Sequence, residues 1–421
     1  MKILSIETSC DETALSIIEA SGTVKTPKFK VLANEIASQA SLHAQYGGVF
    51  PAVAKREHTK ACIPILKRVL TEAKMEKPLK KKVSDKKQER KLSKILDREP
   101  ELLKDLLEYI PLIKKPKIDA IAVTYGPGLE PALWVGVNFA KSLSSAWDIP
   151  VIPVNHMEGH ILSVLPTDGK NVNTKDFPLP AIALLISGGH TELILIKDWM
   201  KYKKIGETRD DAVGEAFDKV ARMLGLPYPG GPQISRLAAE SRKERVGSEG
   251  PHSATDARTE QFSSKKIAYP QNLLFPNILP RPMIHTKDFD FSFSGLKTAV
   301  LYLIQKINET PKGLTEEIKK EIAREFEDSV TEVLMKKTML AIEKYGAKML
   351  IVGGGVSANT HIRESLAKSL GSSAPKLKIY FPDKGLSTDN SLMIAMAGYF
   401  TYLKKKKHSI SGIKAKGNLS L

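Results

Sequence analysis

The sequence predicts an α/β protein built as two related lobes around a cleft, and three observations carry that prediction. Short apolar runs such as Ile118–Thr124 and Ala181–Ile186 alternate with longer segments whose apolar residues recur at helical spacing. A strand–turn–strand unit occurs once in each half, around Thr8–Thr13 and around Ser187-Gly188-Gly189. The 421 residues, 42% of them hydrophobic, suffice for two ordinary cores, and the length suggests two or three domains.

Taken in order, Lys2–Glu7 and Ala14–Ile18 read as strands around a polar turn, and a third strand follows near Phe29–Ile36. Ala52–Ala73 has helical periodicity, Lys74–Lys94 is lysine-rich and reads as weakly structured, and Ile95–Ile110 is helix-like. The apolar strand Ile118–Thr124 leads into the turn Gly126-Pro127-Gly128, a helix over Pro131–Trp147 and a strand over Val151–Val154. In the second half, Ala181–Ile186 and Thr191–Ile196 read as paired strands and Ala212–Leu224 as a helix. Residues 241–290, rich in Ser, Pro and charge, read as a long surface loop. Helices resume over Ser294–Ile307 and Thr315–Tyr345; a strand at Met349–Val352 ends in three glycines, and a last helix covers Thr388–Lys404. The expected lobes are residues 1–152, with an insertion at 74–116 and completed by the C-terminal helix 388–405, and residues 153–387, with a loop insertion at 241–280. Residues 406–421 form a basic tail.

The net charge of +17 is unevenly placed. Lys74–Lys94 holds 10 Lys/Arg against 3 acids, and Thr401–Leu421 holds 6 Lys and no acid, so the remainder is only mildly basic. Both segments suit contact with nucleic-acid phosphates, and equally a solvated insertion and a frayed tail. Cys10 and Cys62 are too few for a disulfide framework or a cysteine-rich zinc site. With no run of about 18 apolar residues and a first segment that reads as a strand rather than a signal peptide, a cytoplasmic protein without a membrane span is expected.

The chemistry-bearing motifs begin with His156-Met157-Glu158-Gly159-His160. On a helix, residues i and i+4 share a face, so both imidazoles can reach one ion, zinc or iron by ligand type; two surface histidines would show the same spacing. Glu158 is misplaced for the zincin pattern, which disfavours a metalloprotease of that kind. A third ligand is needed, and Asp389 in Ser-Thr-Asp-Asn is the candidate, with helix capping as its alternative. The glycine turns Leu185-Ile186-Ser187-Gly188-Gly189-His190 and Gly353-Gly354-Gly355 can bring backbone N–H groups to a phosphate or nucleotide, although glycine pairs also mark ordinary turns. The loop Thr8–Thr13 packs hydroxyls and carboxylates between two strands. Neither a P-loop nor a dinucleotide fingerprint occurs.

Ordered along the chain are Ile-Glu-Thr-Ser-Cys-Asp-Glu-Thr at 6–13, Tyr-Gly-Gly-Val-Phe-Pro at 46–51, Gly-Pro-Gly-Leu at 126–129, the histidine pair, and Ile-Ser-Gly-Gly-His-Thr at 186–191. Gly-Glu-Ala-Phe-Asp-Lys at 214–219, Tyr-Pro-Gly-Gly-Pro at 228–232, Phe-Ser-Phe-Ser-Gly-Leu-Lys at 291–297, Gly-Gly-Val-Ser-Ala-Asn at 354–359 and Thr-Asp-Asn at 388–390 follow. In this order they resemble the tRNA threonylcarbamoyltransferase family in its bacterial form, over most of the chain except about 74–116 and 241–280. The resemblance implies an actin/Hsp70/sugar-kinase-like fold with nucleotide between the lobes. It implies transfer of a threonylcarbamoyl group from threonylcarbamoyl-adenylate to the exocyclic amine of the adenosine 3′ of the anticodon, in tRNAs reading codons that begin with A. Carried over by motif, the metal ligands are His156, His160 and Asp389, holding one divalent ion, iron(II) first and zinc second. The substrate-binding positions are Leu185, Ile186, Ser187, Gly188, Gly189, Asp218, Gly231 and Asn359. Asp11, Glu12 and His190 are the candidates for proton transfer or for ordering the metal's water. Implied partners are tRNA, a paralogous subunit of the same fold and a small ATPase; Lys80–Lys82 and Lys404–Lys407 are expected to help hold tRNA. The competing readings are an ATP-hydrolysing kinase-like enzyme of the same fold and a non-catalytic scaffold paralogue, the latter expected to lack the histidine pair.

Overall fold

The computed structural model describes residues 1–80, 85–173, 176–248, 278–404 and 412–421. Lys2–Glu7 (β1), Glu12–Gly22 (β2) and Pro27–Ser38 (β3) form an antiparallel meander, and Ala120–Gly126 (β4) and Val151–Asn155 (β5) extend it in parallel beyond β1. Asp168–Asn171 (β6) borders β3, giving the order β5-β4-β1-β2-β3-β6. The second sheet repeats the plan. Ala181–Ile186 (β7), Thr191–Asp198 (β8) and Lys201–Glu207 (β9) form a meander, and Met349–Gly353 (β10) and Lys378–Tyr380 (β11) extend it beyond β7, in the order β11-β10-β7-β8-β9. The same five-strand plan is thus used twice, as the doubled α/β unit expected from the sequence. The parallel centre explains the apolar runs: all six residues of β7, Ala-Ile-Ala-Leu-Leu-Ile, are buried, because both of its faces are covered.

The helices are Ala40–Ala44 (α1), Pro51–Glu72 (α2), Lys86–Ile95 (α3), Pro100–Tyr109 (α4), Glu130–Trp147 (α5), His156–Leu162 (α6), Val213–Met223 (α7), Gly230–Ser248 (α8), Ser294–Asn308 (α9), Glu316–Tyr345 (α10), Thr360–Ser373 (α11) and Ser391–Leu403 (α12). One core lies between the first sheet and α2, α4 and α5, and another between the second sheet and α7 to α11. A third is shared. Ile3, Ala122 and Val154 of the first sheet meet Ala183, Leu185 and Ile351 of the second, with Met157 and Ile161 of α6 and Met393 to Ala397 of α12 among them. This shared core sets α6 and the start of α12 side by side between the sheets. Among the described residues no helix is long and apolar enough to cross a membrane.

Four expectations need correction. Lys74–Lys94 is not weakly structured throughout: Asp85 caps α3 by accepting from the backbone N–H groups of Lys87 and Gln88, and Leu92 is buried. Its lysines mask the narrow apolar stripe. Ile95–Ile110 is not one helix, because Pro100 starts α4 afresh at its first turn. Residues 241–248 are helical rather than loop: α8 starts at the Gly230-Gly231 turn and pairs Arg242 with Glu327 and Asp328, and Arg245 with Glu321, on α10. After it, Leu279 and Phe289 are buried; residues 249–277 of the expected loop lie outside the described residues. The tail is not frayed over 412–421. Ile413 is buried, Lys416 N donates to Tyr125 O at 2.8 Å, Gly128 N donates to Gly417 O at 3.0 Å, and Asn155 Nδ2 donates to Ser420 O at 3.2 Å. These are mostly backbone contacts, which composition does not reveal. Lys81, Lys82 and Lys405–Lys407, named for tRNA contact, lie outside the described residues.

Candidate active site

The site forms where α6 and α12 begin. Asn155, at the end of β5, caps α6 by accepting from Met157 N and Glu158 N, which starts the helix at His156. The i, i+4 spacing then puts both imidazoles on one face, with Nε2 of His156 and Nε2 of His160 3.1 Å apart. Asp389 comes from the far end of the chain. It does not cap α12, because Asn390 does so by accepting from Met393 N at 3.0 Å. The Asp389 carboxylate is thereby free to turn inward, and its Oδ1 lies 3.2 Å from each Nε2. Glu158 points away and bonds Tyr202.

Around the triad, Nδ1 of His156 donates to Oε2 of Glu7 at 3.0 Å, and Glu7 also accepts from Thr124 Oγ1 at 2.6 Å. Ser9 Oγ lies 3.3 Å from His156 Nδ1 and 3.5 Å from Asp389 Oδ2. With Nδ1 holding its hydrogen on Glu7, Nε2 of His156 presents a lone pair to a second imidazole and a carboxylate. Three such donor atoms converge only around a cation or a proton. Without a metal a proton takes that place: burial alone would lower the pKa of His156, but Asp389 and Glu7 outweigh it and hold the group well above its usual range. Burial also opposes ionisation of Asp389, yet the two histidines hold its pKa well below the usual carboxylate range. His160 is lowered, chiefly by burial. A divalent ion fits the donor set. Ligands about 2.0–2.2 Å from an ion at ordinary bond angles stand roughly 3.0–3.5 Å apart, and the three atoms here do so.

The other predicted residues divide into two groups. His190 faces the triad electrostatically, and the charge of Asp11 acts on Glu12 and Asp218. Burial, with His156 and His160 nearby, lowers His190 to about 4, so its imidazole is neutral at pH 7. Glu12 starts β2; burial and the charges of Asp11 and Asp389 push its carboxyl up to about 10, so it keeps its proton. Asp218 reaches the same region from α7, where burial, opposed by N–H groups of Gly230 and Gly231 and aided by Asp11, raises its pKa. The hairpin tip Ser187–His190 is closed by Ser187 N donating to His190 O and by His190 N donating to Ser187 Oγ. Among the described residues nothing lies within 4 Å of where a Cβ would stand on Gly188, Gly189 or Gly231, so these three border open space. Leu185 and Ile186 are fully buried and can offer only backbone. Asn359 stands apart: its Oδ1 accepts from Ile362 N, and its Nδ2 donates to Ser235 Oγ and Glu327 Oε1, so the whole amide is engaged within the fold.

Sequence reasoning missed Glu7, Ser9 and Tyr228. Glu7 is a fully buried carboxylate at the end of an apolar strand, which is itself a signal. Tyr228, before Pro229, has its pKa raised by burial and by the charges of Asp11 and Asp218, which places it near those two carboxylates. Glu7→Gln keeps the shape but weakens the acceptor for His156 Nδ1. It is expected to cut divalent-metal affinity by about 10–100-fold, read by competition with a chelator, with the melting temperature as folding control.

A sequence model of the TsaD family, tRNA N6-adenosine threonylcarbamoyltransferase, matches residues 30–81 and 96–396. The chain belongs to this family. Curated relatives named tRNA N6-adenosine threonylcarbamoyltransferase include that of Chromobacterium violaceum, 37% identical over 94% of this chain and 92% of its own length. That of Paraburkholderia xenovorans is 38% identical over 94% and 91%, and that of Persephonella marina 39% over 95% and 90%. Among solved structures, component A of the Acidaminococcus fermentans (R)-2-hydroxyglutaryl-CoA dehydratase aligns over 96% of this chain and 98% of its own, at 14% identity and TM-score 0.44. Full-length HypF aligns over 97% and 56%, at 12% identity and TM-score 0.46. The chain is therefore a transferase that modifies tRNA. The family match passes over residues 82–95, which contain α3.

Proposed function

We propose that the chain moves the threonylcarbamoyl group from threonylcarbamoyl-adenylate to N6 of the adenosine 3′ of the anticodon, in tRNAs reading codons that begin with A, and that it does so in the cytoplasm. The observation that carries this reading is the convergence of His156 Nε2, His160 Nε2 and Asp389 Oδ1 between the two sheets. These residues would hold one divalent ion, iron(II) or zinc, which when bound supplies positive charge to a phosphate and a carbonyl otherwise repelled by this acidic pocket. Glu7 orients the first ligand. The open hairpin tip Ser187-Gly188-Gly189 and Gly231 leave room for the adenylate, and Asp218 can receive a ribose hydroxyl. In the reaction the N6 nitrogen attacks the carbamoyl carbon, the carbon–oxygen bond to phosphate breaks, and AMP leaves with that electron pair. The proton lost by N6 goes to Asp11. Glu12, which holds its own proton, donates a hydrogen bond beside it, and neutral His190 can donate to the carbonyl or phosphate oxygen.

The test incubates the purified protein with unmodified tRNA and threonylcarbamoyl-adenylate, alone and with the expected paralogous subunit and small ATPase. Mass spectrometry of the digested nucleosides then follows product. Threonylcarbamoyladenosine 3′ of the anticodon is expected; its absence in every mixture, where a relative's complete system makes it, overturns the reading.

A further inference from the structure

The helix α3, Lys86–Ile95, is held firmly by one face and bare on the other. Leu92 is buried, and Gln88 Nε2 donates to Ala146 O at 3.1 Å, at the C-terminal end of α5. On the outward face Lys86, Lys87, Arg90, Lys91 and Lys94 are exposed and line one groove of about 430 Å³. None of the five forms an ion pair with another described residue. Three pairs of them, Lys86 with Arg90, Lys87 with Lys91 and Arg90 with Lys94, stand at i, i+4, where like charges destabilise a helix. A fold that docks such a helix in one orientation bears that repulsion in the free protein and relieves it on binding an anion.

The groove also has a direction. α5 has 18 residues and is about 27 Å long. Its far end joins the active-site loop, where Leu129 N donates to Ser9 O at 2.8 Å. Between the ends, Lys141 lies over the Trp134 ring at 5.5 Å. Its ammonium pKa is lowered by burial and by nearby Lys414 of the C-terminal segment, so two further cations stand together there. Positive charge thus stands at α3 and again part-way along α5 toward the site.

We propose that α3 is a phosphate-docking helix that holds the backbone of the tRNA substrate while its target adenosine reaches the site; this rests on the function proposed above. An RNA backbone suits the groove better than a protein does, because a protein interface would place apolar or aromatic anchors at its centre, and the exposed positions of α3 are basic or serine. The helix lies in the stretch the family match passes over.

The test measures binding of end-labelled unmodified tRNA to the full chain by fluorescence anisotropy across a salt series. The variant is K86Q/K87Q/R90Q/K91Q/K94Q. Its Kd is expected to rise about tenfold or more at 0.1 M salt, and the slope of log affinity against log salt to flatten by about 2–4, as three to five phosphate contacts are lost. The KM for tRNA should rise while kcat holds. A folded variant with unchanged Kd and slope overturns the proposal, as does loss of a protein partner with tRNA affinity intact. Should the variant not fold, photocrosslinking of 4-thiouridine-containing tRNA to the wild type decides: crosslinks within Lys86–Lys94 support it, and crosslinks confined elsewhere overturn it. Product formed by the wild type, with variant affinity unchanged, sinks this proposal alone. No product, with α3-dependent tRNA binding, sinks only the function above.

Discussion

Replacing His156 by alanine is expected to reduce transfer about 10³-fold, the equivalent of roughly 4 kcal/mol of transition-state stabilisation withdrawn with the ion. The wild type treated with a strong chelator should fall to the same level, and the chelator should do nothing further to the variant. That agreement separates a metal role from a structural one. His156 lies between the fully buried Glu7 and the partly buried Asp389, so its loss leaves Glu7 without an imidazole partner and Asp389 with His160 alone. Breaking a buried pair in this way costs about 3–5 kcal/mol, and a fall in stability alone would mimic lost activity. Thermal melting resolves the two. A metal at about 100 times its Kd should stabilise the wild type by about 2.7 kcal/mol, and the variant not at all. Full transfer by a metal-free variant would sink the assignment.

What could be read from the sequence follows from where the physics is local. The six apolar residues of β7 and the 30-residue periodic run of α10 are determined by burial and by i, i+3 and i, i+4 neighbours, so they are legible in short windows. The histidine pair was legible for the same reason. Asp389 is a candidate because imidazoles need a third ligand and because the family resemblance carries one to it; that Asn390 takes over the capping, and so frees it, depends on the turn that precedes α12. Glu7 was hidden inside what reads as an ordinary apolar strand, although its partners Thr124 and His156 lie 117 and 149 residues away. Lysine composition concealed α3 and β9 alike: the first docks through Leu92 and Gln88, the second by ladder bonds to β8. The C-terminal segment escaped notice because it is held through backbone groups, which every sequence possesses.

The run Gly353-Gly354-Gly355, which resembles a nucleotide-binding turn, divides on physical grounds into three different residues, and a series of alanine substitutions exposes the difference. Gly354 has φ +89°, and a Cβ there would meet the carbonyl oxygen of Ile186 closer than side chains ever approach backbone. Strain and clash together put the cost of Gly354→Ala at about 3–5 kcal/mol, a fall in melting temperature of roughly 3–6 °C. At Gly353 a Cβ would stand 2.8 Å from the His160 carbonyl oxygen. Gly353→Ala should therefore push α6 outward, costing about 1–3 kcal/mol and lowering metal affinity as well, because His160 moves with its backbone. Around Gly355 no described residue lies within 4 Å, so Gly355→Ala should stay within about 0.5 kcal/mol of the wild type. Melting with a chelator present reads stability free of metal linkage, and a separate metal titration reads the effect on His160. Equal losses at all three positions would show that the packing of β10 against β7 and α6 does not set this glycine run. A graded loss, with metal affinity falling at Gly353, would show that two of the three glycines serve to bring the strand ends up to the histidine helix.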